Sequence, residues 1–185
     1  MNRRELLKMI AAATGAAFVG GNVLLTGCTR REPPEEYRFD ATHVALLDEI
    51  AETIIPRTNT PGAKDAQVGQ FMTVMVNDCY ISEEQAVFHR GITQLQTASL
   101  ESYDTAFMDL SPGDRHSLIS QLDRESRLHN AGQTDPHYFT MMKQLTLFGF
   151  FTSKLGATEV LRYAAIPGHF EGCIPYTEGD RAWAT

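Results

Sequence analysis

Apolar residues recur every three or four positions along much of this chain, a spacing that predicts α-helices. The first clear stripe starts after Asp40, a good N-cap residue, and stops at Pro56. It comprises Val44, Leu47, Ile50, Ala51, Ile54 and Ile55. A second stripe comprises Val68, Phe71, Met72, Met75, Val76 and Cys79. The pattern therefore predicts two helices joined by a loop over residues 56–65, which contains the turn signal Pro61-Gly62.

Three further helix starts are marked by polar caps and prolines. Residues 82–85 form a capping box, residues 111–114 combine a cap with a first-turn proline, and Asp135-Pro136 repeats the second device. Apolar residues follow these starts at helical spacing: Phe88, Ile92, Leu95, Leu118, Ile119, Leu122, Tyr138, Met142, Leu145 and Phe148. No β-hairpin signal with flanking alternation occurs. We therefore predict an all-α fold: a single domain over residues 39–185 with about five or six helices and a loop-rich C-terminus from residue 165.

The N-terminus is typical of an export signal rather than of a folded domain. Arg3 and Arg4 precede a mildly apolar stretch, residues 9–25, which is too short and too rich in Ala and Gly for a stable transmembrane helix. Paired arginines with such a stretch favour the twin-arginine route. We predict a signal peptide over residues 1–27; a first core helix is the less favoured interpretation.

The end of this signal resembles the lipobox of bacterial lipoproteins, because residues 25–28 read Leu-Thr-Gly-Cys. We predict that Cys28 is lipidated and that residues 28–38, which are polar and contain Pro33-Pro34, form a stalk. The expected location is the periplasmic side of the cell envelope, with the chain anchored to a membrane by lipid. A signal cut at an ordinary site, which would leave Cys28 free, is the alternative.

The net charge argues against nucleic acid as a partner. The whole chain carries 16 basic and 23 acidic residues, and residues 1–27 account for three of the former and one of the latter. The remaining 13 basic and 22 acidic residues give a net charge near −9. A surface of that sign repels phosphate backbones.

No motif for catalysis, cofactor binding or metal binding is present. The sequence lacks G-x-G-x-x-G, C-x-x-C-H, H-E-x-x-H and G-x-S-x-G, and its six histidines are scattered without a metal-ligand spacing. We therefore expect no cofactor and no metal in this chain, and no catalysis by this chain alone.

Two cysteines remain after Cys28. Cys79 lies in an apolar stripe, which predicts a buried and inert thiol, and Cys173 lies in a loop. An internal bridge would add about 3–5 kcal/mol in the chain-entropy model. Two free thiols and a disulfide to another chain are the other possibilities that the sequence leaves open.

Two segments resemble a known family. Residues 46–56 read LLDEIAETIIP and lead into TNTPGAKD at residues 58–65; residues 151–163 read FTSKLGATEVLRY, and PGHFEGC follows at residues 167–173. Both are similar to the gluconate 2-dehydrogenase subunit 3 family, the small subunit of membrane-bound flavin-dependent sugar and polyol dehydrogenases. The likeness spans most of the chain after the signal, although residues 80–135 share only helical character.

The resemblance implies an accessory role. In that family a large subunit of the GMC type carries FAD and the oxidation chemistry, and a cytochrome c subunit or another acceptor takes the electrons. The small subunit is thought to accompany the large one through the twin-arginine pore. The lipobox departs from the commonest family form and suggests that this subunit also tethers the complex. The alternative function is an independent envelope lipoprotein that acts as a scaffold or binds a small ligand.

The partner-docking surface is expected in two regions, the loop at residues 58–65 and the segment over residues 148–173. Aromatic residues, which favour interface cores, are concentrated in the last quarter of the chain. The alternative is that Phe148 and Phe151 pack in the monomer's own core. Charge reversal at Lys64 and Arg162 is expected to weaken association without unfolding the domain. The predicted docking residues are Thr60, Pro61, Gly62, Lys64, Phe151, Arg162, Tyr163, Phe170 and Trp183.

Overall fold

Five α-helices follow one another in the computed structural model, which describes residues 5, 37–133, 135–166, 168–169 and 171–184. They are α1 (Ala41–Ile54), α2 (Val68–Cys79), α3 (Ser82–Tyr103), α4 (Pro112–Gly132) and α5 (Tyr138–Thr152). A 3₁₀ turn spans Phe107–Asp109 and a π-helical turn spans Gly156–Val160. Within the described residues the one β feature is a single parallel bridge between Arg162 and Trp183. The all-α prediction is confirmed.

Several sequence predictions fall outside the described residues. They are the signal peptide, its Arg3 and Arg4, the lipidation site Cys28, most of the stalk, and Phe170. The structural account below concerns the described residues of the second of two compact units, which spans Glu35–Thr185.

Helix α1 starts where its sequence predicts. The Asp40 carboxylate accepts hydrogen bonds from the backbone N–H groups of Thr42 and His43, both at 2.9 Å, and His43 Nδ1 accepts from Asp40 N at 3.3 Å. The hydrogen bonds from the Thr42 side chain and the His43 backbone hold the pKa of Asp40 far below its usual range. Ser111 likewise caps α4 by accepting from Asp114 N at 3.2 Å.

The predicted caps of α3 and α5 are wrong in detail. Ser82 is already helical, and the backbone N–H of Ile81, the capping position, donates to Glu84 Oε2 at 3.3 Å. Gln85 does not complete a capping box; its side-chain amide donates instead to three carbonyls at the end of α2, at 3.0–3.3 Å. At α5 the cap is His137, whose Nδ1 accepts from Phe139 N at 3.2 Å, and not Asp135. Each substitute acceptor satisfies an N–H group that the helix itself leaves unpaired.

The core lies around α5, which contacts each of the other four α-helices. This position explains why α5 is apolar on nearly all sides. Large side chains from every α-helix and from the 3₁₀ turn fill the interior: Leu47, Ile50, Met72, Val76, Phe88, Leu95, Phe107, Leu118, Leu122, Phe139, Met142 and Phe150.

Helices α1 and α2 approach each other closely at Gly69. Its backbone N–H donates to Asp48 Oδ1 at 2.7 Å. A Cβ atom at this position would lie only 2.7 Å from the carbonyl oxygen of Val44. Burial raises the pKa of Asp48, although the Gly69 hydrogen bond acts in the opposite direction. The contact fixes the angle at which the loop at residues 56–67 leaves and rejoins the helices.

Candidate docking surface

The loop at residues 56–67 is held in shape by two carboxylates. Glu52 accepts from Arg57 N at 2.8 Å through Oε1 and from Lys64 N at 2.9 Å through Oε2. Asp65 Oδ2 accepts from Gly62 N at 2.9 Å, and its other oxygen pairs with the Arg57 guanidinium. Backbone N–H groups bonded to carboxylates leave the loop little freedom, so it presents one defined surface.

Gly62 is required by this arrangement. A Cβ atom there would lie 2.6 Å from the backbone nitrogen of Arg57 and would also collide with the Glu52 carboxylate. Gly62 is buried and shapes the loop, and its predicted part in docking stays a prediction. Thr60 and Pro61 are half-buried and remain on the surface of the loop.

Lys64 also contributes to the shape of the domain. Its ammonium group pairs with Glu49, whose other oxygen pairs with the Arg115 guanidinium from α4. Arg115 further donates to the carbonyl oxygen of Phe107 at 3.1 Å through Nε. This group of charges joins α1, the loop, the 3₁₀ turn and α4. Charge reversal at Lys64 would place a carboxylate next to Glu49, so that variant would disturb the fold as well as any partner contact.

The two segments that resemble the family meet at one groove. Its volume is about 480 Å³, and it is lined by residues 57–61, by Asp65 and by Leu155, which precedes the π-helical turn. The groove is open to solvent and its walls are mainly polar loop side chains. The structure therefore brings the predicted loop at residues 58–65 next to the start of the second predicted docking segment.

The C-terminal residues fold back on the end of the π-helical turn. Arg162 N donates to Ala182 O at 2.8 Å, and Ala184 N donates to Arg162 O at 2.9 Å. The Arg162 guanidinium lies over the Trp183 ring, 4.6 Å from its centroid. Arg162 and Trp183, both predicted docking residues, thus contact each other, and charge reversal at Arg162 would also remove the contact between the guanidinium and the indole ring.

An exposed apolar face lies on the neighbouring helices α2 and α5. Phe148 is 50% exposed and Phe151 is 37% exposed, which supports the surface reading of both, whereas Phe150 is in the core. Phe71 of α2 packs edge-on against Phe148, with ring centroids 5.6 Å apart. Val74 and Leu147 extend the face and are 44% and 39% exposed. We call these five residues, Phe71, Val74, Leu147, Phe148 and Phe151, the α2/α5 face.

Sequence reasoning missed the α2 half of this face. Val74 was not part of the predicted stripe, and the sequence alone does not show that α2 packs against α5. The sequence does carry a signal for the α5 half of the face, because Leu147 and Phe148 are adjacent and Phe151 follows them after about one turn. Such a run exceeds what a single core-facing stripe needs.

Both described cysteines are free and exposed. The prediction of a buried Cys79 is wrong, because this residue ends α2 and is not covered by the helices that bury Met72 and Val76. Cys173 lies in the exposed C-terminal segment, as does Tyr163 at its start. Exposure leaves both thiols accessible to a partner.

The described side chains offer neither a metal centre nor a membrane span. Nowhere in that part of the chain do three or more His, Cys, Asp or Glu side chains come together as a metal ion would require. None of the five α-helices is both long and apolar enough to cross a bilayer.

Comparison with known proteins supports the resemblance found in the sequence. The chain matches the family described as "Gluconate 2-dehydrogenase subunit 3" over residues 41–168, which is 128 of its 185 residues. No curated protein and no solved structure matches the chain. The matched region starts at the first residue of α1 and includes both the charged loop and the π-helical turn. The chain therefore belongs to the gluconate 2-dehydrogenase subunit 3 family.

Proposed function

We propose that this chain is a non-catalytic small subunit that supports export, maturation and membrane tethering of a flavin-dependent sugar or polyol dehydrogenase, such as gluconate 2-dehydrogenase. FAD and the substrate pocket would lie in a large GMC-type subunit. A cytochrome c subunit would be a further partner. Arg3 and Arg4 would direct the exported complex, and Cys28 would carry its lipid anchor.

The observation that carries this proposal is the α2/α5 face of a domain from a dehydrogenase subunit family. Apolar patches of this kind, on a rigid pair of helices, mark protein–protein interfaces. Two exposed phenylalanines at its centre have the size and rigidity that interface hot spots require. The partner that covers the face would be the large subunit.

Two further features of the domain offer surface to a partner. One is the groove between the loop at residues 57–61 and Leu155, a residue of the second family-like segment. Tyr163 and Trp183 are exposed on the C-terminal segment that Arg162 fastens. We expect these elements to contribute to the rim that typically surrounds the apolar centre of an interface.

The test is co-purification of a flavoprotein. The chain is expressed together with its candidate large subunit and is recovered from membranes by an affinity tag. Flavin absorption is then measured in the eluate. The double variant Val74→Glu/Phe148→Glu should reduce the flavin recovered by about tenfold or more, since interface centres typically contribute about 2 kcal/mol or more per residue. The matched control is Leu128→Glu, which alters an apolar residue of α4 that is 77% exposed.

The same preparation tests export and tethering. Arg3→Lys/Arg4→Lys should leave both polypeptides in the cytosol, and Cys28→Ser should release the exported complex from the membrane. A wild-type chain that recovers no flavoprotein would refute the proposal. Equal flavin recovery from the α2/α5 double variant and from Leu128→Glu would refute the choice of surface.

A further inference from the structure

A second surface, which α1, α4 and α5 line together, differs in composition from the α2/α5 face. A groove of about 340 Å³ lies between the end of α1, helix α4 and helix α5. Ile54, Ile119 and Phe139 contribute apolar side chains to it. Ile54 is half-buried and Ile119 almost fully buried, so these two side chains form the apolar floor, and the fully buried Phe139 supports them from below.

The rim of this groove is cationic. Arg124, Arg127 and Lys143 line it together with one carboxylate, that of Asp123, which leaves a surplus of two positive charges. His116 also lines the groove and adds charge when protonated. Residues 37–185 carry 11 basic and 19 acidic residues, a net charge of −8. Three of the 11 cations of an acidic domain therefore surround one small groove.

Asp123 fixes two of these cations in place. Its Oδ1 accepts from Lys143 Nζ at 2.5 Å and its Oδ2 accepts from Arg127 Nη2 at 2.6 Å. The hydrogen bond from Lys143 is the main reason why the pKa of Asp123 is lowered, and the charge of Arg127 adds to it. One carboxylate cannot neutralise both cations, and Arg124 has no ion-pair partner among the described side chains. Ser120, on the same face of α4, has a free hydroxyl there.

We propose that this groove binds an amphipathic phosphate monoester, with the phosphate between Arg124, Arg127 and Lys143 and the apolar part on Ile54 and Ile119. A phosphate monoester carries about −1.5 to −2 charges at neutral pH, which matches the surplus of the rim. Arginine side chains hold phosphate oxygens through two parallel hydrogen bonds. The volume suits a short alkyl chain or a small ring. The site does not depend on the docking surface, which lies on different side chains.

Two sources supply this chemistry, a soluble phosphate ester and the monoester headgroup of phosphatidic acid in a bilayer. Binding to the purified full-length chain is measured by calorimetry with hexyl phosphate, methyl phosphate and 1-hexanol. Vesicles of phosphatidylcholine with and without phosphatidic acid are then tested as competitors. Competition by phosphatidic acid assigns the site to a lipid headgroup, and its failure assigns the site to a soluble ester.

The expected result is that hexyl phosphate binds with one-to-one stoichiometry and about tenfold or more tightly than methyl phosphate, because several methylene groups leave water. Hexanol alone should not bind measurably. Arg124→Glu should weaken hexyl phosphate binding by about tenfold or more without changing the unfolding temperature, since this side chain holds no partner. Arg90→Glu, on an exposed position of α3 outside the groove, is the matched control.

Three results would overturn the proposal. One is the absence of hexyl phosphate binding. Another is equal affinity for methyl and hexyl phosphate, which would mean that the apolar floor is not used. The third is equal weakening by Arg124→Glu and Arg90→Glu, which would show that the anion responds to the charge of the whole domain. A failure of the flavoprotein co-purification described above would not change any of these three binding results, so the two proposals fail separately.

Discussion

Replacing Gly69 by alanine tests the close approach of α1 and α2. The added Cβ would lie 2.6 Å from Asp48 Oδ1 and 2.7 Å from both Asp48 N and Val44 O, and two of these three atoms belong to the backbone of α1. Backbone atoms cannot rotate away as a long side chain can, so α2 must move. Overpacking of this kind costs about 1–3 kcal/mol.

Movement of α2 also weakens the hydrogen bond from Gly69 N to the Asp48 carboxylate, which is 2.7 Å long. Hydrogen bonds to charged groups contribute about 1.5–3 kcal/mol. Alanine is the better helix former by about 0.5–1 kcal/mol, which offsets part of the loss. The net expectation is a decrease of about 2–4 kcal/mol in the free energy of unfolding, or a fall of roughly 5–15 °C in Tm.

Gly113→Ala provides a matched control, because Gly113 is the second residue of α4 as Gly69 is the second residue of α2. A Cβ atom at residue 113 would meet only Ser111 Oγ, at 3.9 Å. This variant should gain up to about 1 kcal/mol from helix propensity alone. Thermal unfolding followed by circular dichroism measures both. If Gly69→Ala melted at or above the temperature of Gly113→Ala, the argued contact between α1 and α2 would not exist.

Two further predictions concern charge and pH. Burial, and to a lesser degree the charge of His43, lowers the pKa of His89, whose ring stacks on Phe39 with ring centroids 4.3 Å apart. The folded state therefore binds fewer protons than the unfolded state. The free energy of unfolding should accordingly fall as the pH drops from about 7.5 to about 5.5. Urea unfolding at several pH values should show a smaller fall for His89→Phe, and an unchanged slope would contradict the assignment. Glu49→Gln removes the carboxylate that Lys64 and Arg115 share, so it should lower the free energy of unfolding by about 1–3 kcal/mol, as measured by urea unfolding. Glu178→Gln, at an exposed residue of the C-terminal segment, should change nothing, and an equal effect of both variants would refute the argument.

Helix positions could be predicted because each depends on local signals. The stripe that stops at Pro56 and the cap at Asp40 both lie within a few residues of the boundary they set, so α1 was predicted to within about a residue. The caps at α3 and α5 were misassigned for a physical reason. At α3, the Gln85 side chain donates to free carbonyl oxygens at the end of α2, and this tertiary contact competes with the local capping box.

The surface could not be predicted from the same signals. Because α5 contacts four other helices, its sequence is apolar on most sides, and spacing alone cannot distinguish Phe150 in the core from Phe148 and Phe151 at the surface. For Cys79 the error is the opposite one: the residue falls in phase with the apolar stripe of α2, which predicted burial, but it is the last residue of the helix and no other element covers it. The cationic groove could not be predicted either, because Arg124 and Lys143 line the same groove only when α4 packs on α5.

The residues that carry the family resemblance have a different task from the residues that would carry docking. Glu49, Glu52 and Gly62 hold the loop at residues 56–67 against α1, and Asp48 holds the start of α2 there; most of their polar atoms are already occupied within the chain. The match over residues 41–168 covers these residues together with Val74 and Phe148, while residues 169–185, including Trp183, lie beyond it. Partner choice would then depend on side chains that project from the domain, above all Val74 and Phe148. Exchanging these exposed side chains between two members of the family should transfer their preference for a large subunit, whereas exchanging the loop carboxylates should only change stability.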